Sequence, residues 1–88
     1  MEQLIGVWVD LKNNIWCFNN GGTGYIKYFR EDDKREIKYG MSSSKLVIYD
    51  LRDVVSPGSV YRYEILPGGR AMILELNGGS AGYYLIRK

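Results

Sequence analysis

The sequence predicts an all-β protein, a single small antiparallel meander of eight strands closed into a barrel. Three observations predict this class. The 88 residues are rich in strand-favouring types, with eight Tyr, two Trp and two Phe, and contain only two Pro. Apolar and polar residues alternate in short segments, and turn residues separate the segments at roughly 8 to 12 residue spacing. No helical period of useful length is present.

The length allows one domain over residues 1–88, because a chain of this size supports only one compact core. Eight antiparallel strands hide their edges best when the sheet rolls into a barrel or curls tightly, and we expect the barrel. Side chains nearly fill the interior of an eight-stranded barrel. We therefore expect a barrel with room for at most a small or shallowly held ligand.

Eight segments have the pattern of strands. Their bounds, in chain order, are 4–10, 15–18, 24–30, 36–42, 45–50, 59–66, 71–76 and 82–88. The first, LIGVWVD, carries apolar residues on both faces, which predicts a strand that is covered at least in part on both sides. The second, IWCF, is short and follows the turn cluster KNN. The third, GYIKYFR, and the fourth, EIKYGMS, alternate as half-buried strands do.

The second half of the chain alternates more regularly. KLVIYD places Leu46 and Ile48 on one face, and SVYRYEIL alternates aromatic with charged residues and is the clearest strand. AMILEL presents one Met and two Leu on a shared face. GYYLIRK sets Tyr83 and Leu85 against the residues between them. The predicted turns of this half contain Ser43-Ser44, Pro57-Gly58, Pro67-Gly68-Gly69 and Asn77-Gly78-Gly79.

The glycine-rich stretch NNGGTGYIKYF at residues 19–29 has two interpretations. A dinucleotide site needs Gly-x-Gly-x-x-Gly ahead of a helix, but here the third glycine is missing and a strand pattern comes next. A P-loop ends in Gly-Lys-Ser or Gly-Lys-Thr, and neither tripeptide occurs. Asn-Asn-Gly-Gly instead tolerates the positive φ of a tight turn, so the stretch predicts a hairpin.

The composition excludes several chemistries. The chain has no His, which removes Ser-His-Asp and Cys-His catalysis and the commonest zinc ligand. Cys17 is the only cysteine, so an internal disulfide and a Cys-rich metal site are impossible. The formal charge of +2 comes from interleaved charges, typical of a solvated surface. The run REDDKRE at 30–36 is nearly neutral and predicts an exposed hairpin tip.

Carboxylate chemistry has little support. The candidates outside the charged run are Asp10, Asp50, Asp53, Glu64 and Glu75. Glu64 and Glu75 lie on the polar faces of their strands, which predicts ordinary carboxylates in water. Asp50 and Asp53 lack the spacing of a calcium loop. We expect no enzymatic activity, no catalytic residue, no metal and no cofactor.

No apolar stretch approaches the roughly 20 residues that a membrane helix needs. The segment MEQLIGVW lacks the basic start and the long apolar middle of a signal peptide. We expect no membrane span in this chain.

Four segments, taken in order, carry a resemblance to a known family. LIGVW at 4–8 matches Leu-x-Gly-x-Trp. FNNGGTG at 18–24 matches a hairpin pattern in which Phe is followed by Asn or Asp and then by Gly-Thr-Gly. YGMSSSKLVIY at 39–49 resembles a Tyr-x-Ile-x-x-x-x-Leu-x-Ile-Tyr pair of strands, and YYLIRK resembles a terminal Tyr-x-Leu-x-Arg strand. The chain resembles the small lipocalin-like domains of secreted or lipid-anchored proteins of Bacteroides-type gut bacteria.

The resemblance implies a calycin-type barrel of eight strands, a periplasmic or cell-surface setting in bacteria, and no settled activity. Cys17 departs from the family pattern, which more often has Thr or Ser there, and we expect a buried thiol that only fills space. Gly6 lies two residues before Trp8. We expect it to leave room for the indole to lie across the barrel floor and close one end.

The leading functional interpretation is a non-enzymatic binding domain of the cell envelope. Small barrels bind at the open mouth, here the end opposite Trp8, so a small apolar or aromatic ligand would be held there. The inward residues expected to line this mouth are Tyr39, Tyr61, Tyr63, Met72 and Tyr83. The same five residues fit a simple packing role in the core equally well.

Two other classes remain. A protein–protein interaction module with a filled core would use an exposed Tyr-bearing surface, because Tyr offers contact area at low entropic cost. Binding to single-stranded nucleic acid would need bases to stack on aromatic rings while cations meet phosphates. The residues for it would be Tyr25, Tyr28, Tyr49, Lys27, Arg30 and Lys38. A charge of +2 is too small for such a groove, and we expect no nucleic-acid partner.

Overall fold

The computed structural model describes residues 3–42, 44–51, 58–76, 79 and 82–88, and all of its regular structure in these ranges is β-strand. Ser43, Asp53, Pro57, Asn77 and Gly78, which the sequence predicts in turns or as a candidate carboxylate, lie outside these ranges. The strands are β1 Gly6–Asp10, β2 Ile15–Phe18, β3 Thr23–Lys27, β4 Arg35–Ser42, β5 Lys45–Asp50, β6 Ser59–Ile65, β7 Ala71–Leu76 and β8 Gly82–Arg87.

The strands form one closed antiparallel barrel in sequence order, so the predicted fold class is confirmed. Each strand pairs with the next, and β8 returns to β1. The closing register pairs Trp8 with Arg87, Val9 with Ile86 and Asp10 with Leu85. Within the described ranges, the chain contains no helix of the length and apolar character that crossing a bilayer requires.

Side chains from alternate positions fill the interior. Because successive residues of a strand point to opposite faces, every second residue enters the barrel. The buried cluster comprises Leu4, Trp8, Trp16, Phe18, Ile26, Ile37, Leu46, Ile48, Met72, Leu74 and Leu85. Each large apolar side chain that is fully buried contributes about 1.5–3 kcal/mol to stability. The interior is filled, as predicted, and this core is the main source of stability.

Most predicted strand bounds agree with the structure within a residue or two, but the third does not. The prediction extended this strand to residue 30, whereas β3 ends at Lys27. The N–H of Phe29 donates to Asn14 Oδ1 at 2.9 Å, and the N–H of Glu31 donates to the carbonyl of Tyr28 at 3.0 Å. These bonds turn the chain, so the end of the predicted strand was wrong.

The glycine-rich stretch turns the chain, as predicted. Residues 19–22 connect β2 to β3, and the N–H of Asn19 donates to the carbonyl of Thr23 at 2.7 Å. Gly21 and Gly22 have φ values of +99° and +86°, which residues other than glycine rarely adopt. Strand β3 begins directly after these two glycines, so no helix terminus lies beside them.

The barrel has two distinct ends. At the first, which we term the Trp8 end, β1, β3, β5 and β7 begin; at the other, the Tyr83 end, these strands finish. The indole of Trp8 is fully buried, and its Nε1 donates to the carbonyl of Leu4 at 2.9 Å. Trp8 thus closes its end, as expected from the sequence.

Arg87 covers the outer side of Trp8. Its guanidinium carbon lies 4.2 Å from the centre of the indole, a cation–π contact. Nε donates to the carbonyl of Gly69 at 2.9 Å, Nη1 to that of Ile5 at 2.8 Å, and Nη2 to that of Gln3. One side chain of the last strand therefore ties down the first segment of the chain and the turn between β6 and β7.

The role of Gly6 differs from the one expected. A Cβ at this position would lie 2.5 Å from Arg87 Nη1 and would not meet the Trp8 ring within 4 Å. The space left by the missing side chain is therefore occupied by the guanidinium, and the idea that it makes room for the indole was wrong. Gly6 also has φ of +138°, a backbone conformation that is strained for any L side chain.

We expect Gly6→Ala to lower the free energy of unfolding by about 2 kcal/mol, because it adds backbone strain and displaces the Arg87 head group. Gly40→Ala is the matched control: Gly40 also lies in a strand, but a Cβ there meets no atom within 4 Å. Urea unfolding followed by tryptophan fluorescence measures both. Equal stability of the two variants would contradict this account of Gly6.

Candidate functional site

Three aromatic rings lie together at the Tyr83 end. The ring centre of Trp16 is 5.2 Å from that of Tyr83 and 6.5 Å from that of Tyr61, and the two Tyr rings are 6.3 Å apart. Interplanar angles of 59° to 84° make these tilted or edge contacts, which the ring quadrupole favours. These three rings and Tyr28 are termed the aromatic mouth.

Strand parity and register bring these rings together. Trp16 is the inward residue near the start of β2, and Tyr61 and Tyr83 are inward residues near the starts of β6 and β8. Because even-numbered strands all begin at the Tyr83 end, early inward positions on them converge there. Leu74 and Leu76 of β7, which pair with Tyr83 and Tyr61, lie between the two tyrosines.

Tyr28 completes the aromatic mouth from the connection between β3 and β4. The guanidinium carbon of Arg35 lies 5.0 Å from its ring centre, and Arg35 in turn forms an ion pair with Glu31 at 3.0 Å. Burial raises the pKa of the Tyr28 hydroxyl, and nearby Arg35 lowers it by less. Burial, and then the neighbouring Tyr83, raise the pKa of Tyr61. Both hydroxyls are therefore neutral near pH 7.

A buried carboxylate holds Trp16 in place. Asp10 is 6% exposed, and its Oδ2 accepts hydrogen bonds from Trp16 Nε1 at 3.1 Å and Asn14 Nδ2 at 3.0 Å. Its Oδ1 accepts the backbone N–H groups of Lys12 and Asn14, each at 2.9 Å. Burial alone would raise the pKa of Asp10, but these four hydrogen bonds lower it below its ordinary value of 3.8.

The aromatic mouth is shallow. Trp16 is only 3% exposed, whereas Tyr28 and Tyr83 are each 36% exposed. A ligand at this end would therefore contact the two exposed Tyr rings, while Trp16 and Tyr61 support them from below. Three exposed apolar residues stand on the connections of the same end: Leu11, Phe29 and Leu51.

The structure divides the five residues predicted to line one mouth. Tyr61 and Tyr83 lie together in the aromatic mouth. Tyr39 lies at the Trp8 end, where its hydroxyl donates to the carbonyl of Asn19 at 2.5 Å. Tyr63 is there too, because its N–H donates to the carbonyl of Ser44 in the turn between β4 and β5.

Met72 is fully buried near the start of β7, on the Trp8 side of the core. The prediction that all five residues line the mouth farthest from Trp8 was therefore wrong for Tyr39, Tyr63 and Met72. Alternation assigns each of them correctly to the inward face, but the height of a residue in the barrel depends on the register of every strand. Ligand binding by Tyr61 and Tyr83 stays a prediction.

Tyr39 lines a depression of its own. A cavity of about 320 Å³ at the Trp8 end is bordered by Ile5, Gly22, Tyr39 and Met41, among others. The Tyr39 ring packs edge-on against Phe18 at 5.1 Å between centres. Its hydroxyl is already held by Asn19, and burial raises its pKa. The ring thus closes the core at this end more than it faces an open mouth.

The structure also places the remaining polar residues, Glu64, Glu75 and Cys17. Glu64 and Glu75 are exposed, as expected, and Glu75 lies 3.6 Å from Arg62 in a solvated ion pair. Cys17 is buried on the outer side of β2, and its Sγ donates to Asn19 Oδ1 at 3.4 Å. In the part of the chain that the structure describes, no three potential metal ligands come together.

Sequence reasoning missed two members of the aromatic mouth. Trp16 received no role, although its inward parity follows from the alternation of IWCF beside Trp8. Tyr28 was considered only as a base-stacking residue, because the third strand was extended through it. The sequence analysis gave Asp10 no role that set it apart from the four other candidate carboxylates. The signal for its role is the turn KNN directly after Leu11, because an Asx-type turn offers backbone N–H groups to a carboxylate.

The fold and the aromatic end define a small closed meander barrel with a filled interior and a shallow aromatic mouth. In comparisons with known proteins, no family model matches the chain, and no curated protein or solved structure is significantly similar to it. The lipocalin-like resemblance thus stays a prediction from the sequence pattern.

We expect Asp10→Asn to lower the free energy of unfolding by about 2 kcal/mol at pH 7, because an amide carries no charge and its NH₂ group cannot accept hydrogen bonds as both carboxylate oxygens do here. Since the pKa of Asp10 is lower in the folded state, its stabilisation is present above the unfolded value of about 3.9. It is lost as the pH falls through the folded value.

Urea unfolding of both proteins between pH 7 and pH 3 measures this difference. The gap between wild type and Asp10→Asn should narrow only below about pH 4. Glu64→Asn changes an exposed carboxylate and should leave the stability nearly unaltered across the range. A gap that is constant down to the lowest pH would contradict the assignment of a depressed pKa to Asp10.

Proposed function

We propose that this barrel is a non-enzymatic binding domain of the bacterial cell envelope that captures a small apolar or aromatic ligand shallowly at the aromatic mouth. The observation that carries the proposal is the position of Tyr28 and Tyr83. Both present partly exposed rings at the same end of the barrel. Trp16, locked by Asp10, supports Tyr83 from below at 5.2 Å.

The energetics favour a small ligand at this place. Aromatic contacts contribute about 0.5–1.5 kcal/mol beyond the burial of area, and rigid Tyr rings lose little entropy on binding. Because the core beneath is filled by Trp16, Leu74 and Leu85, a ligand cannot enter deeply. Affinity would come from one or two stacked rings and from the Tyr hydroxyl groups.

The other parts of the proposal depend on the sequence. The absence of His supports a role without enzymatic chemistry. The lipocalin-like pattern of LIGVW, FNNGGTG and YYLIRK supports an extracytoplasmic setting in bacteria. The low net charge of +2 argues against nucleic acid as the partner.

A second candidate function is a protein–protein interaction module that binds no small ligand. The observation that favours it is the set of exposed apolar residues on the connections around the aromatic mouth, Leu11, Phe29 and Leu51. Together with a filled core, they would suit a partner protein seated over this end. Melting experiments with small molecules separate the two candidates.

We expect small aromatic compounds to raise the thermal midpoint of the domain, because a ligand that binds only the folded state stabilises it. A compound at 100 times its dissociation constant should raise the midpoint by about 10 °C or more in a chain of this size. The panel should include lipids, sugars and small aromatics. For each protein tested, the shift is measured from the thermal midpoint of that same protein without compound.

Tyr83→Ala should abolish the shift, and Tyr83→Phe should keep most of it. Tyr84→Ala is the matched control, since Tyr84 is the next residue, is 40% exposed against 36% for Tyr83, and points to the outside of the barrel. No shift across the panel would leave the partner-protein candidate ahead. A shift lost in Tyr84→Ala but kept in Tyr83→Ala would reject the aromatic mouth as the site.

A further inference from the structure

The outside of the barrel has one continuous apolar face. The outward residues of four neighbouring strands, β7, β8, β1 and β2, are all uncharged except Glu75 at one end of β7. The apolar face comprises Ala71, Ile73, Tyr84, Ile86, Val7, Val9 and Ile15, whereas Cys17 on the same side of β2 is buried. The register joins them without a gap, since Ala71 pairs with Ile86, Ile86 with Val9, and Val9 with Ile15.

The opposite side of the barrel is different. Outward positions on β4, β5 and β6 carry Lys, Glu and Arg at close intervals: Glu36, Lys38, Lys45, Arg62 and Glu64. An antiparallel sheet with one face in water normally has polar residues on that face. Outward Val47, Tyr49 and Val60 interrupt the polar residues of β5 and β6, whereas the four strands of the apolar face carry no outward charge except Glu75. Ile86 is 45% exposed and Tyr84 is 40% exposed, so the apolar face is open on the monomer.

Cations stand at three borders of the apolar face. Lys27 on β3 pairs with Ile15, Arg70 directly precedes Ala71, and the N–H of Lys88 donates to the carbonyl of Val7 at 2.8 Å. On the β6 side, Glu64 pairs with Ile73, and Glu75 is partnered by Arg62. The border is therefore mainly positive, and it complements an anionic surface.

The shape of the apolar face limits what can cover it. Four of eight strands span about half of the circumference, so the face is strongly convex. The whole molecule measures only 34 × 28 × 27 Å. Two such rounded faces would touch along a narrow strip, whereas a stable dimer buries roughly 800 Å² per partner. A deformable surface covers a convex face more completely.

We propose that the apolar face rests on the surface of an anionic lipid bilayer. Ile86, Tyr84 and Ile73 would sink into the boundary between head groups and acyl chains, while Lys27, Arg70 and Lys88 contact anionic head groups. Peripheral proteins bind membranes through this combination of apolar area and flanking cations. The proposal is independent of ligand capture at the aromatic mouth, because the two surfaces use opposite faces of the strands.

Vesicle sedimentation tests the proposal. Wild-type protein should sediment with vesicles of phosphatidylcholine that contain about 30% phosphatidylglycerol, and more weakly with phosphatidylcholine alone. Raising the salt concentration well above about 0.1 M should weaken binding to the anionic vesicles. Tyr84→Asp should reduce the partition coefficient at least about tenfold, because it places a charge in the apolar face.

The polar side of the barrel offers a matched control. Tyr49→Asp changes an outward Tyr of β5 that is 44% exposed, against 40% for Tyr84, and should bind like wild type. Removing two border charges with Lys27→Gln and Lys88→Gln should weaken binding to anionic vesicles by about 20-fold. Lys38→Gln with Lys45→Gln, on β4 and β5, should have little effect. Circular dichroism of each variant checks that it is folded.

Three results would overturn the proposal. One is wild-type protein that ignores both kinds of vesicle. A second is a dimer in sedimentation velocity that Tyr84→Asp dissociates, since a second copy would then cover the face. The third is vesicle binding that Tyr83→Ala abolishes and Tyr84→Asp leaves intact, which would place the membrane contact at the aromatic mouth.

Discussion

The contact between Arg87 and Trp8 is the constraint on which the rest of the barrel depends. These residues pair across β8 and β1, the two strands whose union closes the sheet. The guanidinium also donates to a carbonyl 82 residues earlier in the chain, so it fixes both ends of the sequence at one place. Hydrogen bonds from a charged donor contribute about 1.5–3 kcal/mol each. In a chain of 88 residues that is a large share of the total stability.

Closure at the Trp8 end determines what the other end can do. Trp8 and Phe18 fill the first end and Leu74 and Leu85 the middle, and all four side chains are fully buried. At the Tyr83 end, the inward residues that reach the solvent are Tyr61 and Tyr83, above the buried Trp16. Asp10 connects the two ends of the core. It lies on β1, two residues after Trp8, and its carboxylate accepts a hydrogen bond from Trp16.

The sequence pattern predicts well whether a side chain points into or out of the barrel, and predicts poorly where the residue lies along the barrel axis. Alternation placed Tyr39, Tyr61 and Tyr63 inward, and all three pack against the core. It did not reveal that Tyr39 and Tyr63 lie at the Trp8 end, because that depends on the stagger accumulated over several strand pairs.

The contacts of Gly6 and Asp10 were unpredictable for a related reason. The group that needs the space above Gly6 is Arg87, at the far end of the sequence. Besides its local bonds to Lys12 and Asn14, Asp10 accepts a bond from an indole on the neighbouring strand, and the end of β3 is set by the Asn14 side chain. Each of these depends on a contact between strands, whereas periodicity describes only one strand at a time.

The last strand connects the two candidate surfaces. Tyr83 points into the aromatic mouth and Tyr84 into the apolar face, so one peptide bond separates a residue proposed for ligand capture from a residue proposed for membrane contact. If the apolar face rests on lipid, the aromatic mouth opens at the edge of that contact and not far out in water. An apolar compound concentrated in the bilayer would then reach Tyr28 and Tyr83 after a short lateral step. A shallow mouth suits such a supply, because a high local concentration compensates for the modest affinity of two exposed rings.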